Sequence, residues 1–270
     1  MKIGNFKICS DRTLVIAEVG NNHNGSIENA LRLVDQAIDA GADCVKFQMR
    51  HMEEVYRSKS LSRNGEDLGT EYVLDLLDRY QLTLEEHKRV STYCREKNIM
   101  YMCTPWDSSS VDTLEKLKVP AYKVASADLT NLPLIDHLLT TKKPLIISTG
   151  MSSESEIQVT VDFLNKRQAN YLLLHCNSTY PAPFHDINLQ WIKRLKEIHP
   201  LVGYSGHERG TAVTLAAVGL GALVVERHFT FDRNMEGPDH AASLEPAEFK
   251  SLVRGIREIE EALGDGIERK

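Results

Sequence analysis

Eight short apolar runs, each followed by a stretch with helical spacing, recur along the 270 residues and leave few architectures open. The runs are Leu14–Val19, Cys44–Gln48, Ile99–Cys103, Tyr122–Ala125, Pro144–Ser148, Tyr171–His175, Leu201–Tyr204 and Ala222–Val225. Near-continuous apolarity over so few residues marks parallel strands covered on both faces. Between the runs, Ser26 opens a helix with Ile27, Ala30, Leu31, Val34 and Ile38 on one face, and Gly41 closes it. Thr83-x-x-Glu86 and Ser153-x-x-Glu156 are capping boxes, in which side chain and backbone satisfy each other's orphan donors. The last helix carries Phe249, Leu252, Val253, Ile256, Ile259 and Leu263 at helical spacing. Eight strand–helix units in about 250 residues make an α/β fold, a closed (β/α)8 TIM barrel. An open doubly wound sheet is the rival, but no Gly-x-Gly-x-x-Gly turn follows the first strand. The expectation is a single domain over 1–270 with a short N-terminal β-ribbon over 1–12. A long insertion over 51–82 exceeds an ordinary strand–helix loop and predicts a lid or a small helix.

Composition excludes several classes of function. With 42% hydrophobic and 26% charged residues the chain can bury a sizeable core. A net charge of -6 argues against nucleic-acid and anionic-membrane partners, which are bound through basic fields. No apolar run has the length of a membrane helix, and the start lacks a signal-peptide core. The cysteines Cys9, Cys44, Cys94, Cys103 and Cys176 are odd in number and sit mostly in apolar runs, which reads as reduced thiols and a cytoplasmic protein.

Barrel active sites form at the C-terminal ends of the strands, and there polar residues gather. The first run ends in Glu18, followed by Asn21-Asn-His-Asn24, and the second contains Lys46 and Gln48. The third leads into Thr104-Pro-Trp-Asp107, the fourth carries Lys123, Ser126 and Asp128, and the fifth ends in Ser148. The sixth runs His175-Cys-Asn-Ser-Thr-Tyr180, the seventh gives Ser205-Gly-His207, and Glu226, Arg227, His228 and Asp239 follow the eighth. Any one of these has a plain reading as a hydrogen-bonded cap, and either lysine alone as half of a buried ion pair. That reading weakens when all eight strands end this way on one face. Lys46 and Lys123 in a barrel mouth need negative charge, and Ser126, Ser148, Ser178 and Ser205 add donors suited to an anion. His207 and His228 on neighbouring strands suit a divalent metal with open positions, although spacing alone leaves two structural histidines as the alternative. Glu226 and Arg227 are equally readable as partners of each other.

Several stretches resemble the sialic acid synthase (N-acetylneuraminate synthase) family. They are Ile16-Ala-Glu-Val-Gly-Asn-Asn-His-Asn-Gly25, Gly41-Ala-Asp-Cys-Val-Lys-Phe-Gln48, Thr104-Pro-Trp-Asp107, Ala121-Tyr-Lys-Val-Ala-Ser126 and Ser148-Thr-Gly-Met151. Leu174-His-Cys176, Tyr180-Pro181, Arg227-His-Phe-Thr230 and Gly237-Pro-Asp239 complete the set, in order along the chain. The resemblance implies a barrel that condenses phosphoenolpyruvate with a mannose-type aldose, giving a nine-carbon 2-keto-3-deoxy sugar acid and phosphate. It implies that Lys46, Lys123, Ser126, Ser148, Ser178 and Ser205 hold phosphoenolpyruvate. It assigns Glu18, Gln48, Tyr180 and Asp239 to the open-chain sugar. His207 and His228 would ligate Mn²⁺, with Mg²⁺ or Co²⁺ as alternatives, and the assembly would be a homodimer.

Glu18 or Asp128 is the expected group for proton transfer. Three departures from the family pattern stand out. Asp128 replaces a glutamate, and Gly206 replaces the aspartate of Ser-Asp-His. The sequence also stops before the antifreeze-like domain that lends bacterial members an arginine; the expectation is either that Arg57, Lys59 or Arg63 stands in for it or that the chain is a fragment of a longer one. A Schiff-base aldolase using Lys123 or Lys46, and a non-catalytic sugar-acid-binding barrel, are the rival readings.

Overall fold

The computed structural model describes residues 1–9, 11–56 and 68–264. The chain begins with β1 (Lys2–Ile3) and β2 (Phe6–Lys7), an antiparallel ribbon turned at Gly4, whose φ is +54°. Strands and helices then alternate: β3 (Leu14–Gly20), α1 (Ile27–Asp39), β4 (Cys44–Met49), α2 (Met52–Val55), α3 (Leu68–Arg79), α4 (Leu84–Glu96) and β5 (Met100–Pro105). Next come α5 (Ser108–Leu117), β6 (Tyr122–Val124), α6 (Leu132–Thr140), β7 (Leu145–Ser148), α7 (Glu154–Lys166) and β8 (Tyr171–Cys176). The series ends with α8 (Trp191–Ile198), β9 (Val202–Gly206), α9 (Ala212–Gly219), β10 (Val224–His228) and α10 (Pro246–Leu263). Strands β3 to β10 pair in parallel in chain order, and β10 closes on β3. The expected closed barrel and N-terminal ribbon are both present.

The start signals work as the sequence suggests. Ser26 caps α1 by accepting from the Asn29 amide at 3.2 Å, and both predicted capping boxes are formed. Between β4 and α4 the described residues contribute α2 and α3, so this long connection carries helices of its own. Among the described residues no helix is long and apolar enough to cross a membrane.

One boundary differs in a way that matters. The eighth strand was expected to end at Val225, yet β10 runs on to His228. Charge therefore lies within the strand and not beyond it. Alternation then sends Glu226 inward and Arg227 outward, which excludes their pairing with each other. Arg227 instead pairs with Glu208 at 2.9 Å.

The interior of the barrel is layered. Leu14, Ile16, Cys44, Met102, Ile146 and Val224 form its lower part, and Ile3 and Ile8 of the ribbon join the same cluster. The ribbon thus closes the base, while the outward residues of the strands pack under the helices in a second, larger cluster. Ile3 has no solvent exposure. Ile3→Ala should therefore cost about 2–5 kcal/mol, read as a lower urea midpoint. The groups at the opposite end should stay in place.

Candidate active site

Several barrel strands change character along their inward faces. On β3 the series is Leu14, Ile16, Glu18; on β4 Cys44, Lys46, Gln48; on β10 Val224, Glu226, His228. Period-two alternation projects these residues to one side, so an apolar base gives way to a polar mouth inside the same strands. There a cavity of about 190 Å³ is lined by Glu18, Lys46, Gln48, Lys123, Ser126, Ser148, Ser178, Tyr180, Ser205, His207 and His228. Thr104, Trp106, Met151, Cys176 and Glu226 also reach it.

The two lysines are served differently. Lys46 Nζ lies 2.7 Å from Glu18 and 3.7 Å from Glu226, and donates to Thr104 Oγ1 at 2.8 Å. Burial works against its charge, but Glu18 and Glu226 outweigh burial and hold the ammonium above its ordinary range. Lys123 Nζ donates to the Val124 carbonyl at 2.8 Å, and among the described residues no carboxylate comes within ion-pair distance of it. Burial, aided by Lys46, pulls Lys123 below its ordinary range. A buried ammonium served by a backbone carbonyl is short of negative charge.

The carboxylates divide in the same way. Burial pushes Glu18 up, and Lys46 only partly offsets it. Glu226 is also opposed by burial, yet Lys46 and Lys123 together draw it below the usual carboxylate range. One carboxyl is thus held ionised, while its neighbour is brought towards neutrality, where it can exchange a proton.

His207 and His228 face each other with ring centroids 5.4 Å apart, and Tyr180 stacks on His207 at 4.0 Å. His207 Nδ1 lies 2.5 Å from the Asn177 carbonyl, to which it donates, leaving Nε2 with its lone pair. His228 Nδ1 is buried without a hydrogen-bond partner, 3.9 Å from Asp239 Oδ2. Burial, reinforced by His228, lowers His207 to about 3, and burial with Lys46 beside it lowers His228 to about 3. Both imidazoles are neutral, as metal ligation requires. Two neutral imidazole nitrogens, with the carboxylate Glu226 acting on both rings and its Oε2 lacking a partner, are donors of the type a divalent ion takes, although the three are not drawn together within 4.8 Å as a ready-made cage.

A family model described as the NeuB family matches residues 33–268. An N,N'-diacetyllegionaminic acid synthase of Campylobacter jejuni is 42% identical over 268 residues, covering 96% of this chain and 79% of its own length. The N-acetylneuraminate-9-phosphate synthase of Homo sapiens is 36% identical over 255 residues, 93% of this chain and 71% of its own. The crystal structure of an N-acetylneuraminic acid (sialic acid) synthetase from Leptospira borgpetersenii, in complex with citrate, superposes with a TM-score of 0.89. It is 33% identical and covers 100% of this chain and 92% of that one.

The chain belongs to the NeuB family.

Of the thirteen residues expected to act in catalysis, substrate binding or metal ligation, the NeuB-family barrel brings all but Asp128 and Asp239 onto the cavity. Asp239 stands at its rim: a Cβ placed on Gly20 would lie 3.2 Å from both Asp239 Oδ2 and Gln48 Nε2, and 3.3 Å from Glu18 Oε1. The Asn21–Asn24 stretch explains that placement. Asn22 Nδ2 donates to the Phe229 carbonyl and to Ser243, Asn24 Nδ2 donates to the Glu236 carbonyl, and Asn24 Oδ1 meets His240 Nε2 at 2.9 Å. These bonds tie the loop after β10 over the mouth.

Asp128 lies beside the cavity and does not line it. Its Oδ1 accepts from Asn131 at 3.0 Å, and burial raises it against that bond. Arg57, Lys59 and Arg63, expected as a substitute arginine, lie outside the described residues. Glu226, left open from sequence between the mouth and a pairing with Arg227, lines the cavity, and Arg50 is a functional candidate that sequence reasoning missed. Arg50 is buried, stacks over Trp106 at 4.7 Å and donates to Gln48. Counting by twos back from His228 would have decided Glu226; no sequence signal marks Arg50.

His51, Glu54 and Asp107 offer a second arrangement that could hold a cation, with ligand atoms all within 4.8 Å of one another. Asp107 is already engaged, accepting from the Ser110 amide at 2.7 Å as the cap of α5 and from the His51 amide at 2.8 Å.

The cavity wall is also packed tightly against Gly150. A Cβ there would come within 2.5 Å of Cys176 Sγ, 2.7 Å of Ser178 Oγ and 2.9 Å of the Cys176 carbonyl. Gly150→Ala should cost about 1–3 kcal/mol in urea unfolding, and Cys176→Ala added to it should recover part of that loss. An unchanged midpoint in the single variant would contradict this packing.

Proposed function

We propose that this NeuB-family protein is a sialic-acid-synthase-type transferase. It condenses phosphoenolpyruvate with a mannose-type amino sugar, N-acetylmannosamine or a relative, to a nine-carbon 2-keto-3-deoxy sugar acid and phosphate. The observation that carries the reading is Lys123, a buried ammonium short of a carboxylate, with two neutral imidazoles in the same cavity. Its relatives are sugar-acid synthases by name.

In this reading Lys123 takes the phosphate, together with Ser126, Ser148, Ser178 and Ser205 on adjoining walls. Lys46, already paired with Glu18 and Glu226, is the second lysine of the phosphoenolpyruvate site. Gln48, Tyr180 and Asp239 hold the open-chain sugar with its aldehyde towards the histidines. His207 and His228 would hold a divalent ion, Mn²⁺ first among the candidates, which supplies Lewis-acid polarisation of the sugar's carbonyl. C3 of phosphoenolpyruvate attacks the aldehyde carbon, water adds at C2, and the tetrahedral carbon expels phosphate. Glu18 moves the proton, because it lines the cavity and burial favours its protonated form, whereas Asp128 stands outside. A homodimer is part of the same proposal.

A Schiff base on Lys123 is the competing chemistry, since burial depresses its pKa as a nucleophilic lysine needs. Borohydride with pyruvate would trap that enzyme covalently. The proposal expects no adduct, and phosphate released from phosphoenolpyruvate only when an N-acylated mannose-type aldose is present. A panel of such aldoses assayed for phosphate release is the direct test.

His207→Ala and His228→Ala should each abolish metal-dependent turnover and leave the melting temperature within a few degrees, because neither ring is part of the apolar base. Activity retained in EDTA by His207→Ala would refute the metal role. Lys123→Ala should raise the phosphoenolpyruvate KM and also lower kcat, since charge grows on phosphate as the C–O bond breaks. A loss of at least tenfold in kcat/KM is expected for one charge-assisted contact. An unchanged response to phosphoenolpyruvate concentration removes Lys123 from the phosphate site.

A further inference from the structure

Gly206, Glu208 and Arg227 are neighbours of His207 and His228 in sequence but project to the opposite side of the barrel wall. Glu208 and Arg227 have no exposed side-chain surface. Arg227 Nη1 donates to Glu208 Oε1 at 2.9 Å, to Thr214 Oγ1 at 2.7 Å and to the Gly210 carbonyl at 2.9 Å, and Nη2 donates to the Glu208 carbonyl. Thr214 donates to Glu208 Oε1 at 2.9 Å, and Tyr204 donates to Oε2 at 2.8 Å. One carboxylate and one guanidinium therefore join β9, the segment after it, α9 and β10.

That arrangement demands a bare residue at 206. A Cβ there would lie 2.6 Å from Glu208 Oε2, 2.9 Å from Oε1 and 2.8 Å from a Tyr204 ring carbon. The Glu208 carboxylate folds back into the space that a side chain at 206 would fill. A carboxylate carried by residue 206 itself would occupy much the same place, facing Arg227.

We propose that Glu208 and Arg227 form a brace that sets the separation and orientation of His207 and His228. Gly206 is the condition for it. All three are positioning residues: they touch the outer side of the wall, and their effect reaches the imidazoles through one peptide unit on each strand. A buried ion pair bonded through both carboxylate oxygens of Glu208 and both Nη groups of Arg227, with Arg227 Nε left without a partner, gives those two strand ends a preferred relative position, and removing one partner strands the other charge. The inference rests on the reading that His207 and His228 hold a divalent ion. Groups that orient metal ligands typically change affinity by about 10- to 100-fold when removed.

The test is Mn²⁺ alone, titrated into the metal-free full chain by calorimetry, with thermal unfolding recorded on the same samples. Glu208→Gln should bind Mn²⁺ about tenfold more weakly or worse while still unfolding cooperatively. Tyr204→Phe, which removes one bond to Glu208, should lose about threefold. Gly206→Asp should also bind weakly, because two carboxylates then compete for one space. Gly206→Asp combined with Glu208→Ala should return to within about threefold of the parent, since the new carboxylate faces Arg227 without a rival. A merely structural pair would lower the melting temperature and leave Mn²⁺ affinity unchanged. That result in Glu208→Gln, or a double variant no better than Gly206→Asp, overturns the brace. Should Glu208→Gln not fold, Tyr204→Phe and the double variant decide in the same way. His207→Ala in the same titration separates the two readings. If it loses Mn²⁺ while the brace variants keep it, only the brace is refuted. If it binds Mn²⁺ like the parent, the metal assignment fails and the brace falls with it.

Discussion

The interior of the barrel holds two ammonium groups, and the arrangement of the mouth follows from how each is neutralised. Charge deep in a protein is tolerated only when paired and hydrogen-bonded. Lys46 meets that condition within the chain, through Glu18, Glu226 and Thr104. Lys123 has its neighbour's carbonyl instead. This asymmetry gives the cavity a polarity: one lysine is paired within the scaffold, and the other is left short of negative charge, which the proposed function assigns to an anionic substrate. It also separates the two carboxylates. Glu226 is shared between both lysines and kept ionised, whereas Glu18 answers chiefly to Lys46 and is raised by burial. Acid and base character at one site thus come from position relative to two ammonium groups, and not from residue type.

Much of this was legible in the chain. A lysine inside an otherwise apolar run such as Cys44-Val-Lys-Phe-Gln48 has few explanations other than a barrel mouth, so Lys46 and Lys123 declared themselves. Histidines at the ends of consecutive strands did so as well. What stayed hidden has physical causes. Glu226 stayed undecided between the mouth and a pairing with Arg227 because the strand was delimited by its apolar run, and hydrophobicity stops at Val225 although the backbone ladder continues to His228. Pairing of His228 with Glu18 in the parallel register, not side-chain character, sets where β10 ends. Asp128 stands beside the cavity and not on its lining, which sequence could not show, because it reveals that a carboxylate follows a strand but not which way a short 3-10 turn aims it. Arg50 gives no sign in sequence, since its role depends on Trp106 and Gln48 meeting it in space.

The split between base and mouth explains how one barrel can carry so many charged groups. Below, inward side chains are apolar and the ribbon's Ile3 and Ile8 seal them from solvent. Above, the same strands turn polar within a single alternation step, from Ile16 to Glu18 and from Val224 to Glu226. The cost of burying the upper layer is carried largely by the apolar clusters of the lower layer and of the outer shell. A site built on strand ends inherits the rigidity of that packing, which loops alone could not give it.

Loops still complete the site, and their anchoring shows what must not move. The loop bearing Asp239 is tied by Asn22, Asn24 and His240 back to the chain that leaves β3. Because Asn22 also reaches Ser243, the loop is held on both sides of Asp239. Asp239 therefore stands opposite Gly20, the residue whose lack of a side chain leaves room for Glu18, Gln48 and Asp239 to converge. A side chain at position 20 would separate these three groups and would also sit at a φ of +54°, which disfavours it. The asparagine-rich stretch and the glycine before it thus act together: one holds the loop down, and the other keeps open the space into which it is held.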